Sequence, residues 1–143
     1  MIRRAKESDR DILVDLMIKS DLYHIELGDK ERSINELRER NSKMIDSNIN
    51  KFYVIEEDSV IGTAMIWDNN GEITLNNLYI EKRCRGKGYC SELINYILRE
   101  IKEKYIVLGV YPNNIIANNI YRHLGFKLLQ DAGDLLWLIK EKK

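Results

Sequence analysis

One proline, two histidines and two cysteines are all that 143 residues hold of the types that most often break chains, ligate metals or cross-link them. With only His24 and His123 available, and with Cys84 and Cys90 at a spacing that matches no zinc or redox motif, no metal centre is expected. A structural disulfide is not expected either, because a reducing compartment keeps such thiols free. An excess of one charge is also missing, since 23 Lys+Arg balance 23 Asp+Glu. Proteins that bind nucleic acid usually carry a basic excess, so nucleic acid is disfavoured as a partner. No run approaches the roughly 20 apolar residues of a membrane span, and residues 1–6 lack the apolar core of a signal peptide. These absences predict a cytoplasmic protein with no membrane partner. Repeats, low-complexity tracts and linkers are lacking too, so residues 1–143 read as one domain able to bury a core.

What is present centres on residues 78–91, Leu-Tyr-Ile-Glu-Lys-Arg-Cys-Arg-Gly-Lys-Gly-Tyr-Cys-Ser. A strand pattern there passes through a basic, glycine-containing turn into a helix whose apolar positions are Leu93, Ile94, Ile97, Leu98 and Ile101. Gly86 and Gly88 allow close backbone approach and unusual dihedrals. The first amides of a helix have no internal partner and lie at the positive end of its dipole. Arg83, Arg85 and Lys87 place cations around the same point. A small anion such as a pyrophosphate suits this turn better than a polynucleotide does. A dinucleotide fingerprint would need a third glycine where Ser91 stands, and a P-loop would need Gly-Lys-Ser/Thr, which residues 86–88 do not supply.

The rest of the chain reads as alternating elements. A strand at residues 2–5 is followed by Ser8-Asp9-Arg10-Asp11, which has the form of a helix cap, and by an apolar face of Ile12, Leu13, Leu16 and Met17. A second helix at residues 34–45 has a thin seam of Ile34, Leu37, Met44 and Ile45. Strands follow at residues 52–55, 60–67 and 72–80, with Asp68-Asn69-Asn70-Gly71 as a strong turn signal. The glycine turn and its helix run to about residue 104 and lead to a strand at 106–111. A short helix over about residues 115–124 stops at Gly125, and residues 128–130 and 135–139 form a closing hairpin. The predicted order is βααβββαβαββ.

Residues 114–126 fit N-x-x-A-x-x-x-Y-x-x-x-G-F through Asn114, Ala117, Tyr121, Gly125 and Phe126. Together with R-x-x-G-x-G at Arg83, Gly86 and Gly88, this resembles the GNAT acetyltransferase superfamily, in which the two motifs occur in this order with one strand between them. The resemblance implies an α/β fold with a mixed, mostly antiparallel sheet flanked by helices. The strands at 73–80 and 106–111 would splay to admit acetyl-CoA, the acyl donor and co-substrate. Leu78, Tyr79 and Ile80 would pair with pantetheine, and the Leu78 amide would face the thioester carbonyl. Arg83, Arg85, Gly86, Lys87, Gly88, Tyr89, Cys90 and Ser91 would hold the pyrophosphate. Asn114 would bond the pantetheine arm, Ala117 would keep its wall small, and Tyr121 would be the general acid.

The family implies direct attack of an amine on the thioester, without an acyl-cysteine at Cys84 or Cys90. Glu72 is a candidate base, as the only carboxylate in the central strand segment. Asp21, His24 and Glu26 lie in the segment that borders the acceptor site in relatives, and a water chain is an equal alternative as base. His123 stands where relatives often carry a lysine. The expected activity is N-acetyl transfer from acetyl-CoA to a primary amine, on a small molecule or a protein, with no metal. Dimers are common in the family, so a homodimer is an expectation the resemblance carries. A CoA-binding sensor or interaction module without turnover is the alternative, and retention of Tyr121 argues against it. A structural α/β module without CoA would leave both motif matches as coincidence.

Overall fold

In a computed structural model, which describes residues 1–142, alternation of apolar side chains builds the sheet. In strand β2 (Phe52–Glu56), Phe52 and Val54 join one core cluster while Tyr53 and Ile55 join another. A strand buried on both faces needs a helical layer on each side. Helices α1 (Arg10–Glu26) and α2 (Ile34–Asn48) supply one layer, over Phe52, Val54, Val60 and Met65. Helices α3 (Tyr89–Glu100) and α4 (Ile115–His123) supply the other, over Tyr53, Ile55, Ile73, Leu75, Ile106 and Leu108.

The remaining strands are β1 (Ile2–Arg4), β3 (Val60–Asn69), β4 (Glu72–Ile80), β5 (Tyr105–Val110), β6 (Lys127–Asp131) and β7 (Leu136–Glu141). The seven strands lie in the order β1-β2-β3-β4-β5-β7-β6. Among the described residues only β4 and β5 run parallel, and every other neighbouring pair is antiparallel. The element order is the one the sequence predicts. Strand β7 slots between β5 and β6, which leaves β6 as an edge.

Several details differ from expectation for physical reasons. Ser8 does not cap α1. A 3-10 turn at Glu7–Asp9 precedes that helix, and Asp9 turns inward to accept from Arg3 at 2.8 and 3.1 Å and from the Lys6 amide at 2.7 Å. A bidentate, charge-assisted pair outweighs one capping bond. Ile34 is 47% exposed, so the buried seam of α2 is Leu37, Asn41 and Ile45. Asn41 is tolerated there because its Nδ2 donates to Asp21 at 2.8 Å and to the Leu37 carbonyl at 2.9 Å. Helix α3 stops at Glu100, short of residue 104.

The Arg3–Asp9 pair also makes a stability prediction. The Arg3 bonds hold the Asp9 carboxyl below the usual carboxylate range. This contribution is present above the ordinary carboxylate pKa and is lost as pH falls through the lowered one. Arg3→Ala strands a buried carboxylate and is expected to destabilise the fold by about 3 kcal/mol at pH 7. Urea titration at pH 7 and again at low pH checks this, and the gap between variant and wild type should shrink in acid.

Candidate active site

The site begins with a break in alternation. In β4, Ile73 and Leu75 face the α3 side, and so do Leu78 and Ile80, which changes the parity between residues 75 and 78. One extra residue must therefore be absorbed. The pairing with β3 skips there, and Asn77 takes φ +54°. This β-bulge bends the strand. Strands β4 and β5 are paired only at Ile73–Ile106 and Thr74–Val107. Beyond that point they part, so among the described residues the stretch 75–80 has no strand partner on the β5 side. Leu78 lies on this open stretch, half-buried against the α3 core, while Tyr79 packs against the α1 side.

At the end of β4 a 3-10 turn, Lys82–Cys84, leads to Gly86 and Gly88 at φ +80° and +86°. Gly88 is the N-cap of α3 and has no side chain to cap it, and the first helical bond runs from the Glu92 amide to Gly88 at 3.0 Å. Among the described residues, the amides of residues 86–91 meet neither a backbone nor a side-chain acceptor. A run of unpartnered donors at a helix N-terminus fits an anion. Arg83 and Lys87 are exposed beside it. Arg85 departs from expectation. Its amide donates to the Lys82 carbonyl at 3.3 Å, its Nε donates to the Ile80 carbonyl at 2.9 Å, and its guanidinium sits 5.2 Å from the Tyr79 ring centroid. Arg85 thus braces the turn against β4, and the donor run starts at Gly86.

Helix α4 begins where β5 ends. Asn114 caps it, and its Oδ1 accepts from the Ala117 amide at 3.3 Å. Asn118 staples the corner by donating to the Tyr111 and Asn114 carbonyls. Ala117 and Tyr121 pack against the same core as Leu78, Tyr89 and Cys90, so both motifs converge on one side of the sheet. The Tyr121 ring lies 5.7 Å from Phe126, edge to face. Burial first, and the nearby Cys90 thiol second, push the Tyr121 phenol well above the ordinary tyrosine range. Burial likewise pushes the Cys90 thiol up to about 11, so it is not a thiolate at neutral pH. Cys84 is buried and His123 is exposed.

The other candidate residues are scattered. Glu72 is exposed beside the β3–β4 turn, opposite Asn69 and next to the Ile73–Ile106 pair. At about 3.3 Å per residue, roughly 20 Å of strand separates it from Leu78. Glu72 therefore stands at the closed end of the split. Asp21 is engaged by Asn41. The His24 ring lies edge-on to Tyr111 at 5.7 Å. Glu26 is exposed at the last residue of α1.

Sequence reasoning missed the neighbours of these residues. A cavity of about 470 Å³ at the end of β5 is lined by Leu27, Gly28, Asp29, Tyr111, Pro112, Asn113 and Asp134. The Tyr111 hydroxyl donates to Asp29, and that bond with burial pushes its phenol up to about 12. No motif marks Asp29 or Asp134, because they meet only through the fold.

Strands β4 and β5 thus part on the side of the sheet where α3 begins with a run of unpartnered amides. Residues 19–126 match the acetyltransferase (GNAT) family, and the chain belongs to it. It is 33% identical over 108 residues to an uncharacterized N-acetyltransferase of Methanocaldococcus jannaschii, a match covering 65% of this chain and 67% of that one. It is 30% identical over 83 residues to the spermine/spermidine N(1)-acetyltransferase of Bacillus subtilis, covering 50% of this chain and 55% of that enzyme. The chain thus matches about half the length of the Bacillus enzyme. The fold is similar to that of the PaiA N-acetyltransferase of Thermoplasma acidophilum in complex with coenzyme A. The TM-score is 0.85 with 18% identity, covering 99% of this chain and 98% of that one. Among the described residues no helix is long and apolar enough to cross a membrane.

Proposed function

We propose that the protein, acting as a single domain in the cytoplasm, transfers an acetyl group from acetyl-CoA to a primary amine. The run of unpartnered amides over residues 86–91, at the mouth of the β4–β5 split, carries this reading. Its chemistry suits the pyrophosphate of CoA, and the Thermoplasma structure of the same fold is a CoA complex. Acetyl-CoA supplies the activated acyl group as a thioester. In this reading Leu78 offers its amide to the carbonyl oxygen, a contribution of typically ~10²–10³ in rate. Asn114 and Ala117 line the pantetheine arm, and Tyr121 holds the proton destined for the leaving sulfur.

The cavity at the end of β5 receives the acceptor. Asp29 and Asp134 favour an acceptor bearing an ammonium group, in keeping with the polyamine named for the Bacillus relative. No side chain is assigned as base. Asp21, His24 and Glu26 border the acceptor segment, and water reaches the same opening. A homodimer would leave this assignment unchanged. A CoA sensor without turnover is not favoured, because it has no use for a proton donor at Tyr121.

Release of free thiol from acetyl-CoA, followed over a panel of amines with the product identified by mass, tests the proposal. Amine-dependent release supports it, whereas CoA binding with no release under any amine would leave the sensor. The pH profile is a further expected outcome. Alkylamines have an ordinary pKa near ~10.4, so kcat/KM should rise with pH as the acceptor deprotonates. Because the Tyr121 phenol is pushed up, no falling limb from its ionisation should appear below about pH 10.

A further inference from the structure

The last turn of α1 is fastened to the β5–α4 corner. The Tyr23 hydroxyl donates to Asn114 Oδ1 at 3.0 Å, Asn113 Nδ2 donates to the Leu27 carbonyl at 2.9 Å, and Tyr111 bonds Asp29. The Tyr23–Asn114 contact fixes more than a distance. A carboxamide oxygen accepts two bonds, and Asn114 Oδ1 takes the Ala117 amide and the Tyr23 hydroxyl. An amide N–H can pair only with the oxygen end, so the side chain cannot flip. Nδ2 is thereby left as the end that faces away from both partners.

Asn114 is only 7% exposed, yet Nδ2 has no acceptor among the described residues. Among the described residues the sealed, partnerless side-chain atoms are Tyr53 Oη and Asn118 Oδ1, and Asn114 Nδ2 is not one of them. Its hydrogens therefore open onto accessible space. A buried amide donor held this way recognises a carbonyl oxygen.

We propose that Tyr23 is a positioning residue for donor binding, and that its hydroxyl holds the Asn114 carboxamide so that Nδ2 meets an amide carbonyl of the pantetheine arm. This rests on the CoA reading above. Tyr23 lies outside both motifs, on the helix that leads to the acceptor cavity. It thus connects the acceptor side of the molecule to the donor side through a single side chain.

Titration calorimetry with acetyl-CoA on the wild type, Tyr23→Phe, Asn114→Asp and the double variant tests the proposal. Tyr23→Phe is expected to weaken binding about 5-fold, as befits one restraining bond. Asn114→Asp keeps an equally good helix cap but removes the donor, so it should weaken binding ~10-fold or more. If Tyr23 acts through that donor, adding Tyr23→Phe to Asn114→Asp should change Kd by less than about 2-fold. In steady state, Tyr23→Phe should raise KM for acetyl-CoA and leave kcat near wild type. An unchanged Kd in Tyr23→Phe, or the same 5-fold loss in the Asn114→Asp background, overturns the proposal while leaving CoA binding intact. A folded wild type that does not bind acetyl-CoA overturns the functional reading and this inference together.

Discussion

Gly86→Glu should lose acetyl-CoA binding by on the order of 100-fold or more while the protein stays folded. Gly86 sits at φ +80°, and a Cβ built there meets nothing within 4 Å. The substitution therefore forces no atoms together in the free protein. Holding a side chain in the left-handed region costs about 1–2 kcal/mol, a modest fall in melting temperature for a chain of this size. The carboxylate, however, projects at the start of the unpartnered amide run. Like charges brought together in an interface cost several kcal/mol, and 100-fold corresponds to about 2.7 kcal/mol. Gly86→Asn separates the two effects, because asparagine adopts positive φ and carries no charge. It should bind within about 10-fold of wild type. Calorimetric titration of the three proteins decides the matter, and a Gly86→Glu protein that binds like wild type would move the pyrophosphate away from this turn.

Tyr121→Phe is the second large effect, expected on turnover instead of on affinity. Among the described residues the Tyr121 hydroxyl makes no hydrogen bond, and the ring is held by Phe126 and the α3-side core. Phenylalanine retains that packing, so melting temperature and the Kd for acetyl-CoA should barely change. The proton for the departing sulfur is lost, and kcat should fall ~10²-fold, the lower end for general acids. The lower end is appropriate because the phenol is pushed up by burial and holds its proton tightly. Single-turnover measurement of thiol release checks the step directly. Unchanged kcat would assign the proton to solvent and reduce Tyr121 to packing.

Much of this molecule could be read from the chain alone. The unbroken apolar run Phe52, Tyr53, Val54 and Ile55 reads as a strand, and it is one, buried on both faces. The 3.6 period of Leu93, Ile94, Ile97 and Leu98 specifies a helix with one buried stripe, and all four are buried. Gly86, Gly88 and Gly125 mark positive φ, and each has it. Local dihedral preference and side-chain period act over a few residues, so the sequence displays them. The strand expected at residues 72–80 carried no sign of the bulge at Asn77, which shows only in the packing of Leu75 and Leu78 on one side of the sheet.

Only the tertiary structure decided which end of β4 lies open, and with it that Glu72 sits at the closed end. It turned the Arg85 guanidinium back to Ile80, where a buried-edge carbonyl was available to accept. It joined Tyr23 to Asn114 across 91 positions, and set Asp29 and Asp134 around one cavity. Such contacts depend on how whole layers pack, and no local pattern records which distant side chains that packing brings within hydrogen-bond reach.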